Sequence, residues 1–381
     1  KNRLAFDVSY YKKNTFNQIL PLSIPVEGGA SGRIVQAGNI QNQGVELLVT
    51  AVPIRSKNFT WNAIVNFTRN RNKIIELYPG VPSYDLELAF GADVVAKAIE
   101  GKEYGIVETG YGYATYQAKD ANGKPIAHPN NGMKVIGSAP NGVTGGAYTF
   151  MRSQDYDGSK KQLGTIMEKY LLSTTQEFHY KNFNLNVFVD SKIGGLMASA
   201  THQYGSANGS FENSLFGRTT ESGGVDYTLP NGTVRHDGII PDGVLNDGIT
   251  VNSGGQNVNL GGMTYAEAVS KGLLKPIPAY VYYENLSQWS SGIREYSIFE
   301  NSWVALREVS VGYNLPSSIV NKIRFTSLRV SLIGRNLGYL YKTAKDGINP
   351  EGIYTNRASG FAEYGGWPYV RSLGFNVNAT F

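Results

Sequence analysis

The last fourteen residues, PYVRSLGFNVNATF, alternate in character. Tyr369, Leu373, Phe375, Val377, Ala379 and Phe381 share one face, broken only by Arg371, while Ser372, Gly374, Asn376, Asn378 and Thr380 share the other. Successive side chains of a strand point to opposite faces, so the spacing predicts a strand over Tyr369–Phe381 with one apolar and one small polar face. The same period of two recurs at Arg3–Lys12, Gly44–Pro53, Leu172–Tyr180, Asn184–Ile193, Ser302–Tyr313 and Phe325–Leu337. It is cleanest at Phe59–Thr68, where Phe59, Trp61, Ala63, Val65 and Phe67 oppose Thr60, Asn62, Asn66 and Thr68.

Between these eight segments the connections alternate long and short. Roughly thirty Gly-, Asn- and Pro-containing residues separate the first two strands, and Ile54–Asn58 is a short turn. Arg69 to about Leu171 reads as a long loop with a local hairpin, and Lys181–Phe183 as a tight turn. Gly194 and Gly195 predict a bend, after which the strand runs on to about Tyr204. Gly205–Asn301 reads as irregular apart from one short helix, TYAEAVSKG, with Thr264 and Glu267 as a capping box and Gly272 as the stop. An eleven-residue connection, Asn314–Arg324, and a longer loop, Gly338–Pro368, complete the series.

This alternation predicts an all-β, antiparallel transmembrane β-barrel, with short turns at one end and all long loops at the other. A Greek-key sandwich approaches the same pattern and stays open as the alternative, its apolar faces then buried on a core. Eight strands closing alone must fill their interior with side chains. Asn62, Asn66, Thr68, Ser372, Gly374, Asn376 and Asn378 are too small and polar for that, so the expectation is an arc of a larger, water-filled barrel.

Composition narrows the picture. The 45 Gly and 25 Tyr among 381 residues suit strands and turns. No apolar run is long enough for a membrane-spanning helix, and absent cysteine excludes disulfides and thiolate chemistry. The net charge of +5 comes from scattered basic residues, not the clusters a nucleic-acid surface needs. The opening KNRLAFDVSYYKK reads as the interior of a strand system, as expected for the C-terminal part of a longer chain.

Seven ordered blocks carry a family resemblance: NRLAFDVSYYKKNTF, NIQNQGVELLVTAVP, FTWNAIVNFTRNRNKIIEL, FHYKNFNLNVFVDSKIGG, SWVALREVSVGYNLP, LRVSLIGRNLGYLYK and GINPE. Together they resemble the C-terminal barrel of SusC/RagA-type TonB-dependent transporters over nearly the whole chain. That resemblance implies a 22-stranded barrel in a Gram-negative outer membrane, of which this chain supplies the last eight strands. Long loops would be extracellular and the C-terminus periplasmic. A plug domain, a SusD-like lipoprotein lid and energy from the TonB complex are implied with it, for import of oligosaccharides or peptides. The terminal aromatic, Phe381, with Phe375, resembles the barrel-assembly signal of such proteins. Two departures stand out: Asn349, Pro350 and Glu351 replace the usual Asp-Pro-Glu, and an aspartate-rich segment is reduced to Asp155, Tyr156, Asp157 and Gly158.

Candidate chemistry is sparse. His128, His179, His202 and His236 lack metal-ligand spacing, and no hydrolase, phosphate-loop or zinc-protease motif occurs, so no enzyme is expected. Asp237, Asp242 and Asp247, each followed by Gly, offer carboxylates of the kind calcium takes, or are three turns in a solvated loop. Tyr10, Trp61, Tyr313 and Tyr369 lie near strand ends, as interfacial girdle residues or as sheet packing. Tyr282, Tyr283, Trp289 and Trp367 are candidates for stacking on ligand or lid, or for holding loops in place. Arg69, Arg71 and Lys73 line an exit or face water. Besides import, a structural or secretion-associated docking role and a soluble β-rich binding module remain open.

Overall fold

The computed structural model describes residues 3–23, 32–137 and 148–381. Eight strands form one antiparallel sheet in strict sequence order: β1 (Leu4–Ser23), β2 (Gly32–Arg55), β3 (Phe59–Glu76), β4 (Tyr170–Tyr180), β5 (Phe183–Ile193), β6 (Trp303–Asn314), β7 (Ser327–Lys342) and β8 (Ser372–Thr380). β1 and β8 do not pair with each other, so the sheet is an open arc.

Register fixes the two faces. Leu4, Phe6, Val8 and Tyr10 stand opposite Ala51, Val49, Leu47 and Val45. That row continues through Phe59–Phe67, Phe178, Leu185, Val187, Val311, Leu332 and Phe375. Much of it lies open to solvent, with Phe6 72%, Leu332 67% and Phe375 78% exposed. A sandwich would bury this face on a core; bare, it is the surface a barrel presents to lipid. Its few polar groups are partnered: Trp61 Nε1 donates to Gln176 Oε1 at 2.7 Å, Gln176 Nε2 to Thr174 Oγ1 at 2.6 Å, and Thr174 Oγ1 to the Ile64 carbonyl at 3.0 Å. Hydrocarbon tolerates polar atoms only when they are satisfied internally.

The strands outrun the predicted ones at the loop end. In place of a thirty-residue loop, β1 and β2 stay in register from Leu4↔Ala51 to Ser23↔Gly32. β3 likewise continues past Thr68 to Glu76. Apolar alternation marks only the stretch in contact with lipid. Beyond it, backbone hydrogen bonds and amide side chains hold the sheet: Asn14 Nδ2 donates to Asn39 Oδ1 at 2.8 Å, and Asn70 and Asn72 both donate to Asn42 Oδ1.

The long connections after β3, β5 and β7 are folded, not irregular. After β3, four short strands (Ser83–Ala89, Val94–Ile99, Ile106–Thr109 and Lys161–Thr165) make a sheet of their own. After β5 the chain does not run on as a strand to Tyr204. Leu196–Ser199 is followed by helix α1 (Ala200–Ala207), because the Ser199 side chain accepts from the His202 amide and caps it. Helix α2 (Tyr265–Ser270) starts at Thr264 as predicted, with its side chain accepting from Glu267 N, but Glu267 pairs with Lys271 instead of completing the box. Helix α3 (Ala279–Ser287) was not foreseen. One buried cluster draws on all three connections, with Phe90, Val94, Val107, Ala198 and Phe361. A second gathers Ile136, Leu245, Tyr265, Val281 and Leu286.

Candidate functional site

Three regions could meet a ligand: the inward face of the wall, the loop layer above it, and the seam between them. The inward face is mainly polar. Asn62 Nδ2 donates to Glu177 Oε2 at 3.3 Å, Arg335 Nε donates to Glu308 Oε2 at 2.9 Å, and Tyr11 Oη donates to Asn70 Oδ1 at 3.2 Å. Tyr11 lies across Gly44, where a Cβ would stand 2.5 Å from the phenol oxygen and 2.6 Å from the Arg69 carbonyl. Only glycine lets the ring cover the strand there.

At the seam, GINPE turns back onto the wall. Arg307 donates from Nη1 and Nη2 to Glu351 at 2.8 and 2.6 Å, with Asp190 at 3.4 Å. Tyr339 Oη donates to Asn349 Oδ1 and Glu351 Oε2, and the Tyr369 ring sits 4.8 Å from Tyr339. Tyr369, a girdle candidate in sequence, thus packs on the wall at the seam. It precedes the first residue of β8, so strand alternation does not govern it, and it packs on a ring that faces the Arg307–Glu351 pair. Glu351 answers a guanidinium, and Asn349 caps the turn by accepting from Glu351 N at 3.1 Å.

The loop layer carries a ridge of aromatic rings. Tyr204 and Trp289 stack at 5.3 Å and 7°; Trp289 meets Phe90 at 6.3 Å, Phe90 meets Tyr364 at 6.5 Å, and Tyr364 meets Tyr354 at 5.7 Å. Phe90 is buried beneath, while Tyr204, Trp289, Tyr364 and Tyr354 are 48%, 44%, 38% and 78% exposed. Arg294 fixes the ridge from below. Fully buried, it donates to Asp93 Oδ2 at 3.0 Å and to the carbonyls of Gln288 and Trp289, and its guanidinium lies 4.8 Å from the Trp289 ring and 5.3 Å from Phe90. Burial pulls its pKa below the ordinary arginine value, and Asp93 opposes that. Arginine stays charged regardless, so the stack rests on a cation.

Of the residues singled out in sequence, Trp289 is in this ridge and Trp367 is 90% exposed. Tyr282 and Tyr283 are not loop residues. They lie on α3, where Tyr283 is 5% exposed, donates to the Phe216 carbonyl at 3.3 Å and serves the core, and Tyr282 is edge-on to it at 5.1 Å. The three aspartates do not converge: Asp237 accepts from Arg235 and Tyr227, Asp247 accepts from Tyr116, and Asp242 is exposed. Among the described residues no group of three or more His, Cys, Asp or Glu is placed to hold a metal. Tyr10 and Trp61 stand in the outward row, and Tyr313 meets Phe183 with tilted rings at 4.7 Å at the short-turn end. Phe381 meets Phe325 at 5.1 Å at that same end, and Phe375 points outward opposite Leu332. Sequence reasoning missed Tyr204, Phe90 and Arg294: Phe90 comes from the connection after β3, and Tyr204 and Arg294 lie ninety residues apart in the connection after β5, with no local signal joining them.

Buried under the layer, His202 links the connections after β5 and β7. Its Nδ1 lies 2.9 Å from Ser297 Oγ and its Nε2 lies 3.2 Å from Asp346 Oδ2, with Asn213 Nδ2 at 3.1 Å. The Ser-His-Asp order resembles a hydrolytic triad, but Ser297 and His202 are both fully buried, so no substrate reaches the hydroxyl. Burial drives the His202 pKa well below its usual value and outweighs the Asp346 charge. A neutral ring donating from Nε2 to Asp346 gives that carboxylate oxygen its partner.

An outward apolar face, a polar inward face and folded loops at one end define part of a membrane β-barrel. The chain is similar along its whole length to TonB-dependent receptors, and its fold is that of the C-terminal barrel portion of SusC/RagA-type proteins. It is 23% identical over its full length to TonB-dependent receptor P3 of Formosa agariphila, covering 32% of that protein. It is 28% identical over 48% of its length to TonB-dependent receptor SusC of Bacteroides thetaiotaomicron, covering 17% of it. The fold matches the RagAB peptide importer in its closed-closed and open-open states at TM-scores of 0.56 and 0.57, with 16% identity, over 99% and 100% of this chain and 33% of that one. No family model matches. The chain thus spans about a third of the length of TonB-dependent receptor P3, which it matches along its whole course.

Proposed function

We propose that this chain forms the outer-leaflet mouth and part of the wall of an outer-membrane importer of oligomeric nutrients. Further strands close the two open edges at β1 and β8, since a sheet edge bare in lipid leaves backbone groups unsatisfied. The 22-strand expectation supplies them. The loop end faces outward, a SusD-like lipoprotein covers it, and a plug driven by TonB opens the lumen. The C-terminus is periplasmic and Phe381 is read there during assembly. No bond is made or broken in transport.

The observation that carries this reading is the pairing of a bare apolar outward face with a hydrogen-bonded polar inward face along strands in unbroken sequence order. The aromatic ridge supports a cargo with flat apolar faces, such as pyranose rings or peptide side chains, because stacking tolerates varied partners. The test is uptake of mixed oligosaccharides and peptides by cells that express the full-length protein with its lid. TonB-dependent depletion of at least one class is expected. Depletion of neither would overturn the proposal.

A further inference from the structure

Above the apolar row, the outward face changes character within two residues. Register places Arg69 opposite Val45 and Tyr10, Arg71 opposite Gln43 and Lys12, and Lys73 opposite Gln41 and Asn14. Phe59–Phe67 spans nine residues, about the length of a tilted strand in hydrocarbon, so Arg69 is the first outward residue on β3 beyond the lipid tails. Lys12, Arg69, Arg71 and Lys73 are all exposed, share this face, and form no ion pair among the described residues. Their strands carry no carboxylate on this face between Tyr10 and Asn14, Gln41 and Val45, or Arg69 and Lys73. Three hollows meet at the two arginines. One of about 240 Å³ joins Tyr10 and Val45 to Arg69 and Arg71, one of about 170 Å³ joins Arg71 to Lys73, and one of about 450 Å³ runs from Arg69 to Lys169. Glu103 enters the last two, and Glu168 and Glu300 line only the Lys169 end.

We infer that this strip is a binding site for the phosphorylated headgroup of an outer-leaflet lipid, its acyl chains lying on Tyr10, Val45 and Phe67 and its phosphates on Arg69, Arg71, Lys73 and Lys12. Two arguments select a lipid over a soluble anion or a protein. The cationic strip is continuous with the lipid-facing row on the same strands, and the hollow that joins Tyr10 and Val45 to Arg69 and Arg71 holds no carboxylate, with Glu103 the one acidic side chain beside Arg71 and Lys73. Guanidinium forks suit phosphate oxygens. The inference rests on the outward orientation of the loop end proposed above.

The test inserts the full-length protein in nanodiscs doped with bisphosphorylated lipid A and counts retained lipid by native mass spectrometry. Wild type is expected to prefer it over the dephosphorylated form, and combined Arg69→Gln, Arg71→Gln and Lys73→Gln to lose roughly fivefold in retention per cation. Equal retention by wild type and variant overturns the site. A changed number of barrel chains per particle with unchanged lipid also overturns it, in favour of contact between copies. In parallel, Trp367→Cys is labelled with an impermeant maleimide on intact cells that lack the lid. Labelling with equal lipid retention removes the lipid site alone, whereas absence of labelling removes the orientation and the site together.

Discussion

Arg307 of the wall and Glu351 of the loop after β7 meet in a two-pronged ion pair at 2.8 and 2.6 Å, forty-four residues apart in sequence. This pair ties the loop layer to the sheet, and Tyr339 reinforces it by donating to the same carboxylate at 2.8 Å.

Glu351→Ala is expected to free the loop end of β7 while leaving the wall intact. Charge-assisted hydrogen bonds are worth about 1.5–3 kcal/mol, and Arg307 keeps only Asp190, at 3.4 Å. Hydrogen exchange should rise by one to two orders of magnitude in residues 338–371, with β4 and β5 unchanged. An unchanged loop would show that the pair holds nothing.

Acid should loosen the loop layer through His202. Its folded pKa is depressed by burial, so protonation favours the opened state. The stability it confers is complete above the ordinary imidazole value of about 6.5 and is lost as pH falls toward the lower folded value. Asp346 and Tyr296 face the ring, and the Lys345 charge acts on it as well. Exchange protection in α1 should fall between about pH 6 and pH 4, and His202→Gln should flatten that profile. A profile identical in the variant would exclude His202 as the cause.

Trp289→Ala should weaken cargo binding by the full-length protein with its lid by about 0.5–1.5 kcal/mol, roughly tenfold at most. Trp289→Phe should recover most of it. Calorimetric titration reads the difference, and an unaltered Kd for every cargo would clear the ridge of any binding role.

Phe375→Arg should cost about 2–4 kcal/mol if its outward position lies near mid-membrane, whereas Asn376→Arg, on the opposite face, should cost far less. Refolding into bilayers against denaturant separates the two. Equal costs would contradict the assignment of faces.

The wall was legible in sequence and the layer above it was not, for one physical reason. Lipid on one side and water on the other force a period of two, as in Phe59–Phe67 against Thr60–Thr68. Past Arg69 both faces meet polar surroundings, so Asn70, Arg71, Asn72 and Lys73 carry no apolar alternation even though the strand continues to Glu76. Helix α3 hid for a different reason. AYVYYENLS is rich in residues that favour strands, and burial on nearly all sides overrides that preference. Tyr283, in sequence a loop aromatic for stacking or for holding its loop in place, is a buried helix residue. The ridge was illegible because Phe90, Tyr204, Trp289 and Tyr364 lie on three different connections, and only folding brings them into line.

The loop layer owns its buried clusters, Phe90 with Phe361 in one and Leu245 with Leu286 in the other. It therefore folds by the rules of water while the wall beneath it folds by the rules of hydrocarbon. Mutation can rework the exposed rings of the ridge without shifting a single strand of the wall by one residue, so the two layers are free to change at different rates.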